Sequence, residues 1–236
     1  MKAGIMQPYF LPYIGYISLI KHTDKFILLD EVQFIRHGWI ERNRILKPNE
    51  GWQYIQVPLQ KHHQVDLIKN IEINNDTEWE KKILAQIEHY KKKAPYYRQT
   101  FDLLQNIFSK KYTSIVELNK YSLQSVCEYL SIKTEIQVFS EMNLSIEPVL
   151  EADDWALNIS KALKADEYIN PPGGVSIFNK EKYEKANIAL KFLKIEMKEY
   201  LQKSYPTFEP GLSILDVLMF NSVEEVNDLL DRYELN

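Results

Sequence analysis

The chain contains little glycine and a single cysteine. Only 7 of its 236 residues are glycine, and the phosphate-binding patterns G-x-G-x-x-G and Walker A and the hydrolase pattern G-x-S-x-G are absent. One cysteine excludes an internal disulfide and a multi-cysteine metal site, and it fits a reducing compartment. Cys127 falls among Leu123, Val126 and Leu130 on the apolar side of a predicted helix, so we predict a buried structural thiol.

Long hydrophobic runs and an excess of positive charge are also missing. The longest apolar stretches, such as KFILLD and SILDVLMF, are far shorter than the roughly 20 residues that span a bilayer. The N-terminus lacks the features of a secretory signal. The formal net charge is −4, whereas nucleic-acid binding normally needs a broad excess of basic residues. We therefore expect a cytoplasmic protein with no membrane span and no nucleic-acid partner.

Histidines do not indicate a metal site in this sequence. His62 and His63 are adjacent, and neighbouring side chains cannot easily share one face toward an ion. No other spacing of histidine, cysteine or carboxylate residues indicates metal ligands. We therefore predict no metal ion.

Short apolar strands alternate with amphipathic helices along the chain. Residues 2–6 and 25–30 are predicted strands joined by a helix at 13–23, which makes a right-handed βαβ unit. Strand and helix alternate again from residue 135 to residue 197. We predict a single α/β domain over 1–236, with a mainly parallel sheet of Rossmann-like type and a largely helical insert or subdomain at 76–131.

Several local features accompany this prediction. Residues 52–60 and 68–74 are predicted to be extended, and Asn75 or Asp76 is predicted to cap the helix that follows. The C-terminal tail is predicted to form two helices that divide near Asn221 and Ser222, with Ser222 as the N-cap of the second.

The first candidate binding segment is QPYFLPYIGY, residues 7–16, directly after the first strand. Ligands of open α/β sheets bind in such loops, beyond the carboxyl ends of the strands. Pro8 and Pro12 stiffen the segment, and Gly15 permits close helix packing. The amide of Gln7 can recognise a base, an amide or a sugar hydroxyl. The alternative is a rigid aromatic plug that belongs to the core.

The second segment, residues 30–45, follows the second strand. It combines charged, amide and aromatic side chains, namely Asp30, Arg36, His37, Trp39, Arg42, Asn43 and Arg44. The arginines can donate paired hydrogen bonds to phosphate or carboxylate, and Trp39 can stack on a planar ring. The patch therefore predicts a bound anion, and a solvated basic turn is the alternative.

Two further segments lie in the second half of the chain. In YINPPGGVSIF, residues 168–178, the backbone amides of Gly173 and Gly174 can approach a ligand closely. The segment 200–221 contains Tyr205, Ser213 and Asp216. Ser213 is predicted near a helix N-cap, with Asp216 as its capping partner.

Taken together, these motifs resemble the WbqC-like protein family, a bacterial family associated with polysaccharide and O-antigen gene clusters. The matching positions are Gln7, Pro8 and Tyr9; Arg42, Asn43 and Arg44; Asn170, Pro171, Gly173 and Gly174; and Leu212, Ser213, Ile214 and Asp216. Glu41 and Phe178 depart from the family pattern, which has asparagine and tyrosine there. The resemblance covers nearly the whole chain.

The segment 9–16 is also similar, more distantly, to the His-x-Gly-His motif of nucleotidyltransferases. Gly15 matches the motif glycine, and Tyr13 and Tyr16 replace its two histidines. An uncharged tyrosine hydroxyl is a weaker partner for phosphate oxygens than those histidines. This similarity implies a nucleotidyltransferase-like α/β fold in which adenylyl transfer is lost or altered.

The WbqC-like resemblance implies an enzyme of surface-glycan assembly. As the reaction we predict transfer of an acyl or aminoacyl group, for example glycyl, to the amine of a nucleotide-linked sugar, whose diphosphate the arginine patch would bind. His37 or Asp30 is the candidate base, and Asn43 or the Gly173–Gly174 amides are candidate oxyanion donors. The candidate substrate-binding residues are Gln7, Pro8, Tyr9, Tyr13, Tyr16, Arg36, Trp39, Arg42, Arg44, Gly173, Gly174, Ser213 and Asp216.

Several cofactors, partners and alternative functions are compatible with the sequence. A nucleotide or a carrier-linked acyl donor is the candidate cofactor; a nucleotide sugar, an acyl carrier protein and a second copy of the chain are candidate partners. A nucleotidyltransferase-like enzyme and a non-catalytic sugar-nucleotide binding protein are the alternative functions. In each case we expect the segments after the strands to converge on one cleft.

Overall fold

The computed structural model describes residues 1–63, 65–202 and 207–236. Its strands are β1 (Lys2–Met6), β2 (Lys25–Leu28), β3 (Arg42–Leu46), β4 (Trp52–Gln56), β5 (Glu135–Val138), β6 (Glu167–Asn170), β7 (Ala189–Ile195) and β8 (Tyr233–Leu235). Its α-helices are α1 (Ile14–Lys21), α2 (Trp79–Ile87), α3 (Tyr97–Phe108), α4 (Ile115–Tyr129), α5 (Asp154–Ala162), α6 (Lys180–Lys185), α7 (Ile214–Phe220) and α8 (Val223–Leu230).

Six strands form the main sheet, in the order β5-β2-β1-β6-β7-β8. All neighbouring strands are parallel except β7 and β8, which are antiparallel. The five parallel strands therefore follow a doubly wound order that starts at β1 and reverses direction between β1 and β6. The predicted α/β fold with a mainly parallel, Rossmann-like sheet is confirmed.

Two apolar layers cover the sheet. The larger layer includes Ile17 of α1, Val126 of α4, Leu218 of α7 and Val226 of α8. The second layer contains residues of α5 and α6 with the facing side chains of the strands. Seven of the eight residues of α1 are buried, because α1 lies between the sheet and the C-terminal helices α7 and α8.

A hairpin and three helices separate β2 from β5. Strands β3 and β4 pair antiparallel in a small sheet of their own, and α2 packs against β4. Helices α2, α3 and α4 lie within the predicted insert at 76–131, and α4 packs against β5 of the main sheet. That this range is an insert or subdomain of a single domain stays a prediction.

The structure corrects several local predictions. Strands β3 and β8 were not predicted, since β3 begins with charged and amide residues and β8 has only three residues. Residues Ile68–Asn70 form a 3-10 turn instead of an extended segment. Neither Asn75 nor Asp76 caps α2, which begins after Glu78 without a side-chain cap.

Long-range partners explain the missed cap. The side chain of Asn75 donates to the carbonyl of Tyr112 and accepts from the indole of Trp79, so it is not available to the helix terminus. The predicted cap of α8 is confirmed, because Ser222 and Glu225 form a reciprocal capping box.

Cys127 is buried in α4, as predicted, and burial raises the pKa of its thiol to about 12. A thiol with so high a pKa is almost entirely protonated at neutral pH, which makes it a poor nucleophile. In the described parts of the chain, none of the helices has both the length and the apolar character to cross a bilayer.

Candidate functional site

The loops after β1 and β6 meet where the sheet reverses its winding. Gly4 of β1 pairs with Ile169 of β6, so the register brings Met6, at the end of β1, beside Pro171. Helix α1, after β1, and helix α6, after β6, pack in different apolar layers. A crevice between two such loops is the usual ligand site of doubly wound sheets.

Three buried polar side chains hold the main chain of the loop at 7–13. Their hydrogen bonds run from Asn119 Nδ2 to the Pro8 carbonyl (2.9 Å), from Asn43 Nδ2 to the Phe10 carbonyl (3.1 Å) and from Ser213 Oγ to the Leu11 carbonyl (2.7 Å). Leu11 has a left-handed backbone, with φ of 41°. These bonds stabilise a conformation that is unusual for a residue other than glycine.

The same loop is partly core and partly accessible surface. Phe10 and Leu11 are fully buried, whereas Gln7, Tyr9 and Tyr13 are only partly buried. The interpretation as a core plug therefore describes Phe10 and Leu11, and the interpretation as a binding segment is compatible with the partly buried residues. Gln7 directly follows β1, at the end of the sheet where β1 and β6 meet.

Tyr16 and Pro8 both lie in the interior of the protein. Tyr16 is fully buried, and its hydroxyl donates to the Gln7 carbonyl (2.8 Å). Pro8, within the loop, is buried as well. Both residues support the fold, and their contact with a substrate stays a prediction. Gly15 has a packing role as well, because a Cβ there would lie 2.4 Å from the ring of Tyr13.

Asp30 joins the ends of β2 and β5. Ser140 donates to both carboxylate oxygens, from its hydroxyl (2.6 Å) and from its backbone amide (3.1 Å). The side chain is almost fully buried, and burial raises its pKa although both hydrogen bonds lower it. Because Ser140 occupies both carboxylate oxygens, Asp30 is a weak candidate for the predicted base.

Arg42 and Arg44 lie on one face of the β3–β4 hairpin with aromatic rings. The Arg42 guanidinium carbon is 4.2 Å from the ring centre of Tyr54. The Arg44 guanidinium carbon is 5.1 Å from the ring centre of Trp52 and 5.6 Å from that of Trp39. We call these five residues the arginine face. Stacking on rings holds the guanidinium groups in place while their edges stay available to a ligand.

The arginine face has unused donors. Arg44 Nη2 donates to the Gly211 carbonyl (3.1 Å), and Arg42 donates to the carbonyls of His37 and Gly38. Arg44 Nε is buried without a hydrogen-bond partner among the residues that the structure describes. In the same part of the chain, no ion pair neutralises Arg42 or Arg44, and only Arg98 among the arginines has one. That the arginine face binds an anion stays a prediction, which the uncompensated charge of its two guanidinium groups supports.

Asn43 points to the opposite side of β3 because side chains alternate along a strand. Its Nδ2 donates to Phe10, and its Oδ1 accepts from the Arg44 amide (2.9 Å). Both polar atoms are therefore occupied within the fold, and the role of Asn43 as an oxyanion donor stays a prediction. Asn43 connects the loop after β1 to the strand that holds the arginines.

The two glycines of the loop after β6 differ in accessibility. Gly173 is exposed, with open space where a side chain would begin. Gly174 is buried, its amide donates to the Pro171 carbonyl (3.1 Å), and a Cβ there would lie 2.0 Å from the Asn170 amide nitrogen. Gly174 is therefore needed for packing. The convergence of Gly173, Gln7 and the arginine face on one cleft stays a prediction.

Asp216 is the centre of a buried hydrogen-bond network. Its carboxylate accepts from the hydroxyls of Tyr90 (2.7 Å) and Tyr200 and from the side-chain amide of Gln202 (2.9 Å). The Tyr90 hydroxyl in turn accepts from the amide of Leu46 in β3 (2.9 Å). Asp216 therefore connects α7, β3 and the segment around residue 200, and its contact with substrate stays a prediction.

Ser213 is likewise part of the structure rather than an accessible ligand group. It is the N-cap of α7, as predicted, and its hydroxyl accepts from the Leu215 amide (3.3 Å). Asp216 is not its capping partner, because the carboxylate faces the tyrosines instead. Tyr205, in the same segment of the sequence, lies outside the described residues.

The free energy of unfolding should depend on the ionisation of Asp216. Burial raises the pKa of this carboxyl to about 6 from an ordinary 3.8, although the three hydrogen bonds lower it. The native state therefore binds the proton more tightly, and stability present below pH 4 is lost as the pH rises through about 6. The difference between the two pKa values corresponds to roughly 3 kcal/mol.

Urea unfolding of the wild type and Asp216→Asn between pH 4.5 and pH 7.5 measures this effect. Asp30 and Glu41 also have raised pKa values, but they are present in both proteins, so the difference between the two isolates Asp216. Parallel stability profiles over that pH range would show that the Asp216 pKa is unchanged on folding.

Glu41 was not singled out as a site residue from the sequence. It directly precedes β3 and is buried, and burial raises its pKa. Its Oε2 has no hydrogen-bond partner in the described part of the chain. A buried carboxyl with an unused oxygen next to Arg42 is a further candidate acid or base. Arg36 and His37 lie nearby on the exposed segment before β3.

Three carboxylates lie close enough together to hold a cation, but a lysine occupies the space between them. Lys182 Nζ donates to Glu151 (2.7 Å), Asp153 (3.0 Å) and Asp154 (2.9 Å). These bonds lower the pKa of Asp154 to about 2. The ammonium group supplies the positive charge that these carboxylates need, so the cluster is an ion-pair network between α5 and α6.

Comparison of the sequence with known proteins shows the family of the chain. The model of the WbqC-like protein family matches residues 7–228, from the loop after β1 to α8. The chain belongs to the WbqC-like family. An uncharacterized protein of Mycobacterium tuberculosis strain H37Rv, Rv1507c, is 28% identical over 233 residues, which are 98% of each chain. No solved structure matches the chain.

Membership of the WbqC-like family suggests a role in glycan biosynthesis. The match includes every site residue discussed above, from Gln7 to Asp216. The structure separates them into accessible residues around the strand ends and the arginine face, and buried residues that support those surfaces.

Proposed function

We propose that this WbqC-like protein is a transferase that adds an acyl or aminoacyl group to the amine of a nucleotide-linked amino sugar. The observation that supports the substrate class is the arginine face. Two guanidinium groups with no ion-pair partner among the described residues, each stacked on an aromatic ring, suit the diphosphate of such a sugar. Family membership supports the glycan part of the proposal.

The arginine face also suits the nucleotide base. Trp39 is 37% exposed, unusually accessible for a tryptophan, and it lies beside the Arg44 guanidinium. A planar base can stack on its accessible side while the diphosphate binds Arg42 and Arg44. The amino sugar then extends beyond the diphosphate, toward the loop around Gln7 and Tyr9 in our proposal.

The proposed reaction forms one bond and breaks one bond. The lone pair of the sugar amine attacks the carbonyl carbon of the acyl donor, a carbon–nitrogen bond forms, and the bond from that carbon to the donor's leaving group breaks. The amine loses a proton, which a base accepts, and the leaving group departs with the bonding electrons. His37, exposed beside Arg42, and Glu41 are our candidate bases, while the Gly173 amide is the remaining candidate oxyanion donor.

Mass spectrometry of the sugar product tests the proposal. The protein is incubated with a panel of nucleotide-linked amino sugars and of thioester, phosphate and aminoacyl donors. We expect one pairing to give a product heavier by the acyl or aminoacyl group. His37→Ala and Glu41→Gln should lower its rate, by about 100-fold for whichever residue is the base. A complete panel without any mass increase would contradict the transferase.

A non-catalytic sugar-nucleotide binding protein is the second candidate. Two residues predicted to act in catalysis, Asp30 and Asn43, are engaged within the fold, which favours this alternative. It predicts saturable binding of the sugar nucleotide at the arginine face, with unchanged ligand recovered after long incubation. Calorimetry combined with the mass measurement therefore separates the two functions.

A further inference from the structure

A second basic surface surrounds an open cavity of about 380 Å³ near the end of α2. The 3-10 turn Glu88–Lys92 follows α2 directly and brings three consecutive lysines to the rim of this cavity. The lining residues are Lys91, Lys92, Lys93, Ala94, Pro95, Leu201 and Phe220. None of these residues belongs to the arginine face or to the loops where β1 and β6 meet. We call this feature the lysine cavity.

Two of the three lysines at the lysine cavity, Lys91 and Lys92, have no counterion among the described residues. Lys91 and Lys92 are exposed, and neither forms an ion pair with a carboxylate in the ranges that the structure describes. Lys93 Nζ donates to the carbonyl of Pro48 in the β3–β4 turn. A helix C-terminus favours one or two positive charges, but three adjacent charges also repel one another. A bound anion relieves that repulsion.

The lysine cavity also has an apolar side. Leu201 is 79% exposed, an unfavourable position for a leucine side chain next to a charged rim. Phe220 is nearly buried at the cavity floor, where its ring contacts those of Tyr90 (5.8 Å between centres) and Tyr200 (6.5 Å). A firm aromatic floor and an exposed leucine are suited to an alkyl chain rather than to a polar ligand.

We propose that the lysine cavity binds an amphipathic phosphate: a phosphate monoester whose single apolar chain lies against Leu201 and Phe220. The compact ammonium groups of lysine bind phosphate oxygens as point charges. The cavity volume falls within the range of small-molecule sites. This inference does not depend on the proposed transferase function, because it uses other residues and another ligand.

Titration calorimetry with decyl phosphate, below the concentration at which it forms micelles, tests the proposal. We expect saturable binding to a single site. The double variant Lys91→Gln, Lys92→Gln should weaken that binding about tenfold, because it removes two of the charges that face the phosphate. Leu201→Ser should weaken it about fivefold through the loss of apolar contact.

Matched variants elsewhere on the surface are the controls. Lys110→Gln, Lys111→Gln removes an equal charge from another exposed lysine pair, and Leu150→Ser changes a leucine that is 87% exposed. Both should leave decyl phosphate binding unchanged. Absence of saturable binding, or an equal loss in the control variants, would overturn the proposal.

Binding to lipid vesicles distinguishes a membrane lipid from a free metabolite as the source of this phosphate. Phosphatidylcholine vesicles with lysophosphatidic acid present a single-chain phosphate monoester at a membrane, and vesicles without it present none. Binding to the acidic vesicles that is lost in the Lys91→Gln, Lys92→Gln variant identifies the source as a membrane lipid. Binding of monomeric decyl phosphate alone identifies it as a free metabolite.

Discussion

Asp216→Ala should lower the free energy of unfolding by roughly 2 to 4 kcal/mol at neutral pH. The change removes the acceptor of the Tyr90 and Tyr200 hydroxyls in this network and one acceptor of the Gln202 amide, which still donates to the Glu209 carbonyl. Each hydrogen bond lost at a buried site costs about 1 to 3 kcal/mol. The total stays below the sum because removal of a buried carboxylate, whose pKa is raised by burial, also relieves a desolvation cost.

Urea unfolding monitored by circular dichroism measures this loss. The matched control is Asp228→Ala, because Asp228 is an exposed residue of the neighbouring helix α8, and it should change stability by less than about 0.5 kcal/mol. Tyr200→Phe removes one hydroxyl of the network and should cost about 1 to 2 kcal/mol. If Asp216→Ala and Asp228→Ala had equal effects, the network would contribute nothing to stability.

Replacement of Arg42 and Arg44 by alanine together should weaken the binding of a diphosphate by about 100-fold or more. Each arginine donates charge-assisted hydrogen bonds worth about 1.5 to 3 kcal/mol, which is about 10-fold to 150-fold in affinity. The two effects need not add, since both guanidinium groups face the same ligand. Calorimetry with inorganic pyrophosphate and with UDP-glucosamine measures the change directly.

Two further variants separate the contribution of positive charge to diphosphate binding from that of the planar guanidinium geometry. Arg98→Ala removes an exposed arginine of α3 and should leave diphosphate binding unchanged. Arg42→Lys keeps the charge but loses the planar pair of donors, so its affinity should be intermediate. The arginine face would be architectural, not a binding site, if Arg42→Ala unfolded the protein before it weakened diphosphate binding.

The order of helices and strands was predictable because it depends on local patterns. Ile14, Ile17 and Ile20 recur at helical spacing, and KFILLD is a short apolar run typical of a parallel strand that is buried on both faces. The structure has α1 and β2 at these positions. Strand β3 was not predicted because its arginines and asparagine resemble a polar loop. The alternation of partly buried arginine and buried asparagine along β3 indicates a strand only once the buried partner of Asn43, the Phe10 carbonyl, is known.

The position of the candidate residues in the fold was predictable, but the hydrogen bonds that each of them forms were not. Gln7 and Gly173 follow strand ends, and a parallel sheet brings its carboxyl ends to one edge, so their placement follows from the order of the elements. The roles of Asn119 and Asn43 depend on carbonyl groups 111 and 33 residues away. No local pattern indicates which distant carbonyl an amide will bind.

The sequence alone determined the α/β class, the motifs of the WbqC-like family and the concentration of arginine between β2 and β4, since each is a matter of residue type and spacing. The tertiary structure decided which of these groups a ligand can reach. Arg42 and Asn43 are adjacent in sequence, yet one lies on the arginine face and the other is buried against Phe10. Accessibility depends on how distant segments pack, because a polar group becomes structural once a buried partner from elsewhere in the chain occupies it.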